Sequence, residues 1–171
     1  RDNNLNFKIM IKITFLSAIC FLVTVTGFSQ EMSQNALGLR LGDSDGFGTE
    51  LSYQRALTEN NRLEIDLGWR SNNDYNAYRL TGLYQWLWGL TDTINWYAGA
   101  GGGLGQFNFE DNFPGYDSDT ETYIYAAGNI GIEYNFEIPL LLSLDFRPEF
   151  GFGDFNDDVD FDIALGVRYQ F

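Results

Sequence analysis

Along residues 30–171, apolar and polar side chains alternate with a period of two rather than the 3.6 of a helix. The last segment shows it most clearly. Ile163, Leu165, Val167, Tyr169 and Phe171 share one face, and Asp162, Ala164, Gly166, Arg168 and Gln170 share the other. Turn signals divide the chain into eight such segments: 36–42, 47–57, 62–71, 77–90, 94–109, 122–136, 140–154 and 160–171. Most reach the ~9–11 residues that a tilted strand needs to cross a bilayer. No segment carries a capped 3.6-residue stripe, so the pattern predicts an all-β domain without helices.

The two faces differ sharply. One carries Phe47-Leu51-Tyr53, Leu63-Ile65-Leu67-Trp69, Tyr78-Leu80-Tyr84-Trp86-Trp88, Ile130-Ile132-Tyr134-Phe136 and Leu140-Leu142-Leu144-Phe146-Phe150-Phe152. The other carries Arg40, Glu50, Glu64, Asp66, Arg70, Arg79, Glu133, Asp145, Arg147, Glu149, Asp162 and Arg168, with Gln54, Gln85 and Asn129 among them. In a soluble barrel the apolar face would point inward. In a membrane barrel it points at lipid, and the charges pair inside.

Two further patterns favour the membrane arrangement. The connections alternate between tight turns (58–61, 91–93, 137–139) and more acidic, mostly longer loops (43–46, 72–76, 110–121, 155–158). Outer-membrane barrels sort short turns to the periplasmic side and longer loops outward in this way. The aromatics also fall into two bands. Tyr53, Trp86, Trp88, Trp96, Tyr134, Phe136, Tyr169 and Phe171 lie near the short-turn ends, and Trp69, Tyr78, Phe107, Phe109, Tyr123, Phe150 and Phe152 near the loop ends. Such bands are expected where strands pass the two membrane interfaces. The architecture expected is an eight-stranded antiparallel up-and-down transmembrane β-barrel, and its location the bacterial outer membrane.

Composition adds the route of export. Lys8 and Lys12 precede an apolar run from Ile13 to Phe28, and Gly27 and Ser29 supply small residues before a cut ahead of Gln30. This is the layout of a secretory signal peptide. Residues 1–29 are therefore read as upstream residues plus signal, with Met10 as the start, and 30–171 as the barrel. Cys20, the only cysteine, lies inside the apolar run and permits no internal disulfide. The formal net charge of −14 becomes −16 once Arg1, Asp2, Lys8 and Lys12 leave with the signal. A surface of that sign excludes nucleic acid as a partner.

At this point the chain resembles the small eight-stranded outer-membrane barrels of the outer-membrane protein A and X type. The resemblance covers residues ~35–171 as architecture. Its specific element is a C-terminal assembly signal, polar–x–Gly–x–x–aromatic–x–aromatic. Gly166, Tyr169 and Phe171 match it, while Ala164 stands where a polar residue is usual. The resemblance implies that the barrel-assembly machinery reads this strand, and that outer-membrane lipid and lipopolysaccharide surround the product.

The remaining motifs carry little chemistry. The glycines of 99–105 break the dinucleotide spacing at Leu104 and precede no helix. They suit strand curvature and an aromatic lying over bare backbone. The acidic loops lack the glycine and glutamate positions of an EF-hand, so at most weak divalent-cation bridging is expected. Eight strands leave an interior only wide enough for side chains, so the inward charges read as a filling network rather than a filter. Pro148, inside the seventh segment, predicts a bulge. With no histidine anywhere and no lysine after maturation, no activated nucleophile is expected, and no cofactor. The function expected is that of a structural, adhesive or surface-presenting barrel. The alternatives are a narrow porin-like channel and a soluble secreted barrel with an apolar ligand.

Overall fold

The computed structural model describes residues 32–42, 48–71, 75–109, 120–152 and 159–171. The signal segment and the centres of the four acidic loops lie outside the described residues. Eight strands follow in chain order: β1 (Asn35–Leu41), β2 (Thr49–Ala56), β3 (Asn61–Ser71), β4 (Tyr75–Gly89), β5 (Ile94–Phe109), β6 (Thr120–Asn135), β7 (Leu140–Phe152) and β8 (Val159–Gln170). Each pairs antiparallel with the next, and β1 pairs with β8, which closes the barrel. The closing seam runs from Ala36↔Gln170 to Leu41↔Leu165.

The three described turns are held by the backbone. Leu57 and Thr58 donate to the Asn61 carbonyl, Leu90 and Thr91 to that of Ile94, and Phe136 to that of Leu140. Thr91 adds its hydroxyl as acceptor for the Ile94 N–H at 3.0 Å. Thr, Asn and Asp supply such local acceptors, which is why they mark these turns in the sequence.

The side chains are sorted opposite to those of a water-soluble barrel. Leu39, Leu67, Trp69, Tyr78, Leu144, Ile163 and Tyr169 are exposed on the outer surface. Five arginines (Arg40, Arg62, Arg79, Arg147, Arg168) and six acids (Glu50, Glu64, Asp66, Glu133, Asp145, Glu149) are buried inside among the described residues.

The inner face of β5 is nearly bare, and this shapes the lumen. Gly99, Gly101, Gly103 and Gly105 share the face of Tyr97 and stand opposite Gln85, Leu83, Thr81 and Arg79. Added side chains at Gly103 and Gly105 would fall on the rings of Tyr125 and Tyr123, and one at Gly131 on Tyr97. Three tyrosines thus lie flat along the wall, as anticipated for an aromatic over glycine backbone.

Two expectations change here. Tyr123 and Phe107 do not join an outer aromatic band. They face the lumen, opposite Gly105 and Ala77, and stack on each other with centroids 5.4 Å apart. The glycine row provides the room that draws them inward. The side chain of Phe109 lies outside the described part. The second change concerns Pro148, which produces no bulge. The β6–β7 register is the same on either side of it, at Ala127↔Glu149 and Ile130↔Phe146, and only the intervening pairs are missing. The ladder opens locally where proline has no N–H to donate. Gly128 lies opposite, and the proline ring packs over it.

Candidate functional site

The site with the most chemistry is the lumen, where three linked clusters stack along the barrel. Alternation puts every second residue of each strand inside. Closure then brings together side chains more than a hundred positions apart in sequence.

Toward the loop end, Glu50 is the centre. Its carboxylate accepts from Arg40 Nη1 at 2.9 Å, Arg79 Nη2 at 2.7 Å and Arg147 Nη1 at 3.1 Å. Arg40 continues to Asp145 at 2.6 Å and to the half-buried Asp162 at 2.5 Å. Arg79 reaches Glu149 at 2.9 Å and lies over the ring of Tyr125, whose hydroxyl meets that of Thr81.

In the middle, Arg147 donates to Asp66 and stands 3.6 Å from Glu64. Arg168 completes this layer. It donates to Glu64 at 3.2 Å, to Ser52 Oγ at 3.0 Å and to Ser143 Oγ at 2.8 Å. Gln54 also donates to Glu64.

Near the short turns, Arg62 donates from Nη1 to Glu133 at 2.6 Å and from Nε to Gln85. Its guanidinium lies 4.8 Å from the Tyr97 ring centre, a cation–π contact. Asn95 adds a hydrogen bond to Glu133 at 3.2 Å.

Of the twelve lumen charges expected from the sequence, eleven take part in these contacts. Arg70, the twelfth, sits half-buried on the inward face at the loop end of β3, opposite Ala77. Sequence reasoning missed Arg62 altogether. It lies beside the turn at 58–61, yet its even spacing from Glu64, Asp66 and Arg70 was a usable signal. Ser52, Ser143, Thr81 and the three wall tyrosines were missed too, since their type does not announce a charged interior.

All eight aromatics expected at the short-turn ends lie on the outer face. Trp88 stacks on Trp96 across β4 and β5 at 4.3 Å. Tyr134 meets Phe136 edge-on, and Tyr169 stacks on Phe171. Trp86 packs against Tyr84, and Tyr53 donates its hydroxyl to Asn35 at 2.8 Å. Of the assembly-signal residues, Gly166 faces the lumen, and a side chain there would strike Arg168 and Ser143 Oγ. Phe171 is tied to Asn35 by reciprocal backbone bonds of 3.0 and 2.9 Å. Among the described residues, no three histidine, cysteine or acidic side chains converge as metal ligands.

The geometry defines an eight-stranded closed barrel with a charged interior and an apolar wall. Neither the family models nor the curated proteins contain a match for the chain. Solved structures do match in fold. The N-terminal β-barrel domain of Pseudomonas aeruginosa OprF aligns with a TM-score of 0.63 and 16% identity, over 83% of this chain and all of that one. Ail, the attachment invasion locus protein of Yersinia pestis, gives 0.56 and 16%, over 83% and 99%. It is also similar in its complex with the heparin analogue sucrose octasulfate, at 0.55 and 15%, over 83% and 99%. Neisserial surface protein A gives 0.55 and 14%, over 80% and 94%. At these identities the likeness is one of fold.

Proposed function

We propose that the chain is an integral protein of the bacterial outer membrane, a barrel with a side-chain-filled lumen that anchors and presents acidic loops at the cell surface. The observation that carries this reading is the inverted sorting. A water-soluble barrel with exposed leucines on β1, β3, β7 and β8 would present an apolar surface far larger than soluble monomers tolerate. Lipid is the solvent that makes such a wall favourable, and the aromatics at the short-turn ends suit its interface. The likeness in fold to OprF, Ail and neisserial surface protein A supports the same placement. Membrane fractionation tests it. The mature chain is expected in the outer-membrane fraction, with gel mobility that changes on heating. Recovery as a detergent-free soluble protein would overturn the reading.

The C-terminal strand serves biogenesis in this scheme, with Gly166, Tyr169 and Phe171 read by the barrel-assembly machinery. Phe171→Ser is expected to lower the amount of inserted barrel in cells while leaving refolding of the purified chain into detergent nearly intact. Equal loss in both settings would make Phe171 a stability residue only.

The loops make the function one of contact rather than catalysis. Asp43, Asp45, Asp117 and Asp119 lie in them, and the segments 43–47, 72–74, 110–119 and 153–158 contain no lysine or arginine. Ail has been solved with a sulfated polyanion, but loops of this sign repel one. Calorimetric titration of the refolded barrel with sucrose octasulfate is expected to show no binding. Cationic surfaces and divalent cations bridging to lipopolysaccharide phosphates are the contacts such loops favour.

A further inference from the structure

Nine buried side-chain atoms in the lumen have no hydrogen-bond partner among the described residues. Near the short turns these are Arg62 Nη2, Gln85 Nε2, Tyr97 Oη and both amide atoms of Asn129. Farther along they are Glu64 Oε1, Asp66 Oδ1, Arg147 Nε and Glu149 Oε1. Every residue in this set is less than a tenth exposed. Left dry, each atom would carry the desolvation penalty of a buried polar group without a hydrogen bond to offset it. Buried water is the usual remedy in a polar site.

Their positions form a path rather than a scatter. Arg62, Glu64 and Asp66 are successive inward residues of β3, about 13 Å from first to last at ~3.3 Å per residue. Gln85, Gly99 and Asn129 stand side by side across β4, β5 and β6, and the Asn129 amide oxygen and the Gln85 Cγ occupy the space that a side chain at Gly99 would fill. Arg147 and Glu149 continue on β7 toward the loop end. At the other end Arg62 lines a cavity of about 30 Å³, rimmed by Gln54, Asn60, Asn95 and Gln170, with room for a water or two. Arginine–carboxylate pairs cross the lumen beside these atoms, in an interior that eight strands leave only wide enough for side chains.

We propose that these atoms line a single file of water through the barrel, and that the barrel conducts protons along it while excluding hydrated ions. This goes beyond the anchoring role and does not depend on what the loops contact. A proton entering at one mouth bonds to the first water, which releases a different proton to the next, and the last water delivers one to the opposite solution. Nothing is oxidised, and no bond to the protein is made or broken in sum. The charge moved is balanced by an independent counter-ion.

The test uses the full mature chain refolded into phosphatidylcholine vesicles that hold a pH-sensitive dye, with potassium and valinomycin supplying the counter-ion. Heat-modifiable mobility in the same vesicles reports insertion, so a missing flux and a missing barrel are told apart. The expected result is decay of an imposed pH gradient well above that of protein-free vesicles, with no matching leak of sodium. Asn129→Leu, which puts an apolar group beside Gly99, is expected to return the decay to the protein-free rate. Asn129→Ser, which keeps a polar group in less space, is expected to retain it. An inserted wild-type barrel without proton flux would overturn the proposal, as would equal sodium leak. If Asn129→Leu does not insert, Gln85→Leu replaces it. Unchanged flux in an inserted leucine variant also ends the proposal.

Discussion

Arg147→Ala is expected to destabilise the barrel by about 3–5 kcal/mol, the range for removing one partner from a buried charged pair. The guanidinium is fully buried and is shared among Glu50, Glu64 and Asp66. Its loss removes the arginine bonded to Asp66, while Glu64 keeps Arg168 and Glu50 keeps Arg40 and Arg79. Mutual repulsion among the acids then adds to the cost of keeping them dry. Arg147→Lys keeps the charge but not the forked donor set, so it should lie between wild type and alanine. Asp92→Ala, in the exposed turn between β4 and β5, should stay within about 0.5 kcal/mol as an ordinary surface change. Denaturant unfolding in detergent, followed by tryptophan fluorescence, ranks the three. A cost for Arg147→Ala no greater than that for Asp92→Ala would show that the network contributes nothing to stability.

Gly38→Val should do more damage still, by a different route. Gly38 sits in the seam, paired with Arg168 on β8 and Ser52 on β2. A Cβ there would fall on the Val167 carbonyl and on the Arg168 backbone, which cannot move aside as a flexible side-chain tip would. Overpacking costs about 1–3 kcal/mol where neighbours can shift, and more against backbone atoms that cannot. The affected contact lies in the β1–β8 seam that closes the barrel. The expected outcome is a chain that keeps β-structure by circular dichroism but shows no compact, heat-modifiable band. A normal band would mean that the seam can spread to accept a branched side chain. Gly82→Ala is the matched control, because an added Cβ at Gly82 meets nothing within 4 Å.

Much of this architecture was legible because β-structure writes itself locally. Alternation and turn residues placed all eight strands within two residues of their observed ends, and parity alone put Glu64, Asp66 and Asp145 on one side of the wall. Partner choice was not legible. Arg40 meets Asp145, 105 positions away, only because of the stagger at which the sheet closes, and no local pattern encodes that stagger. Tyr123 and Phe107 sit near a loop as the outer band would, but parity with Tyr125 and Ala127 on β6, and with Gly103 and Gly105 on β5, turns them inward. Pro148 opened its ladder in place opposite Gly128, a pairing known only once the register is known.

The ion network also sets an order of events. Arg40 draws its partners from β2, β7 and β8, and Arg168 draws its own from β2, β3 and β7. No hairpin of neighbouring strands holds more than a fraction of these contacts. A growing sheet therefore keeps its arginines and acids in water until the two end strands meet. The stabilisation then arrives almost at once, so partly assembled sheets have little to hold them together. Such a chain should fold all or none, and fragments cut from it should not persist as separate hairpins.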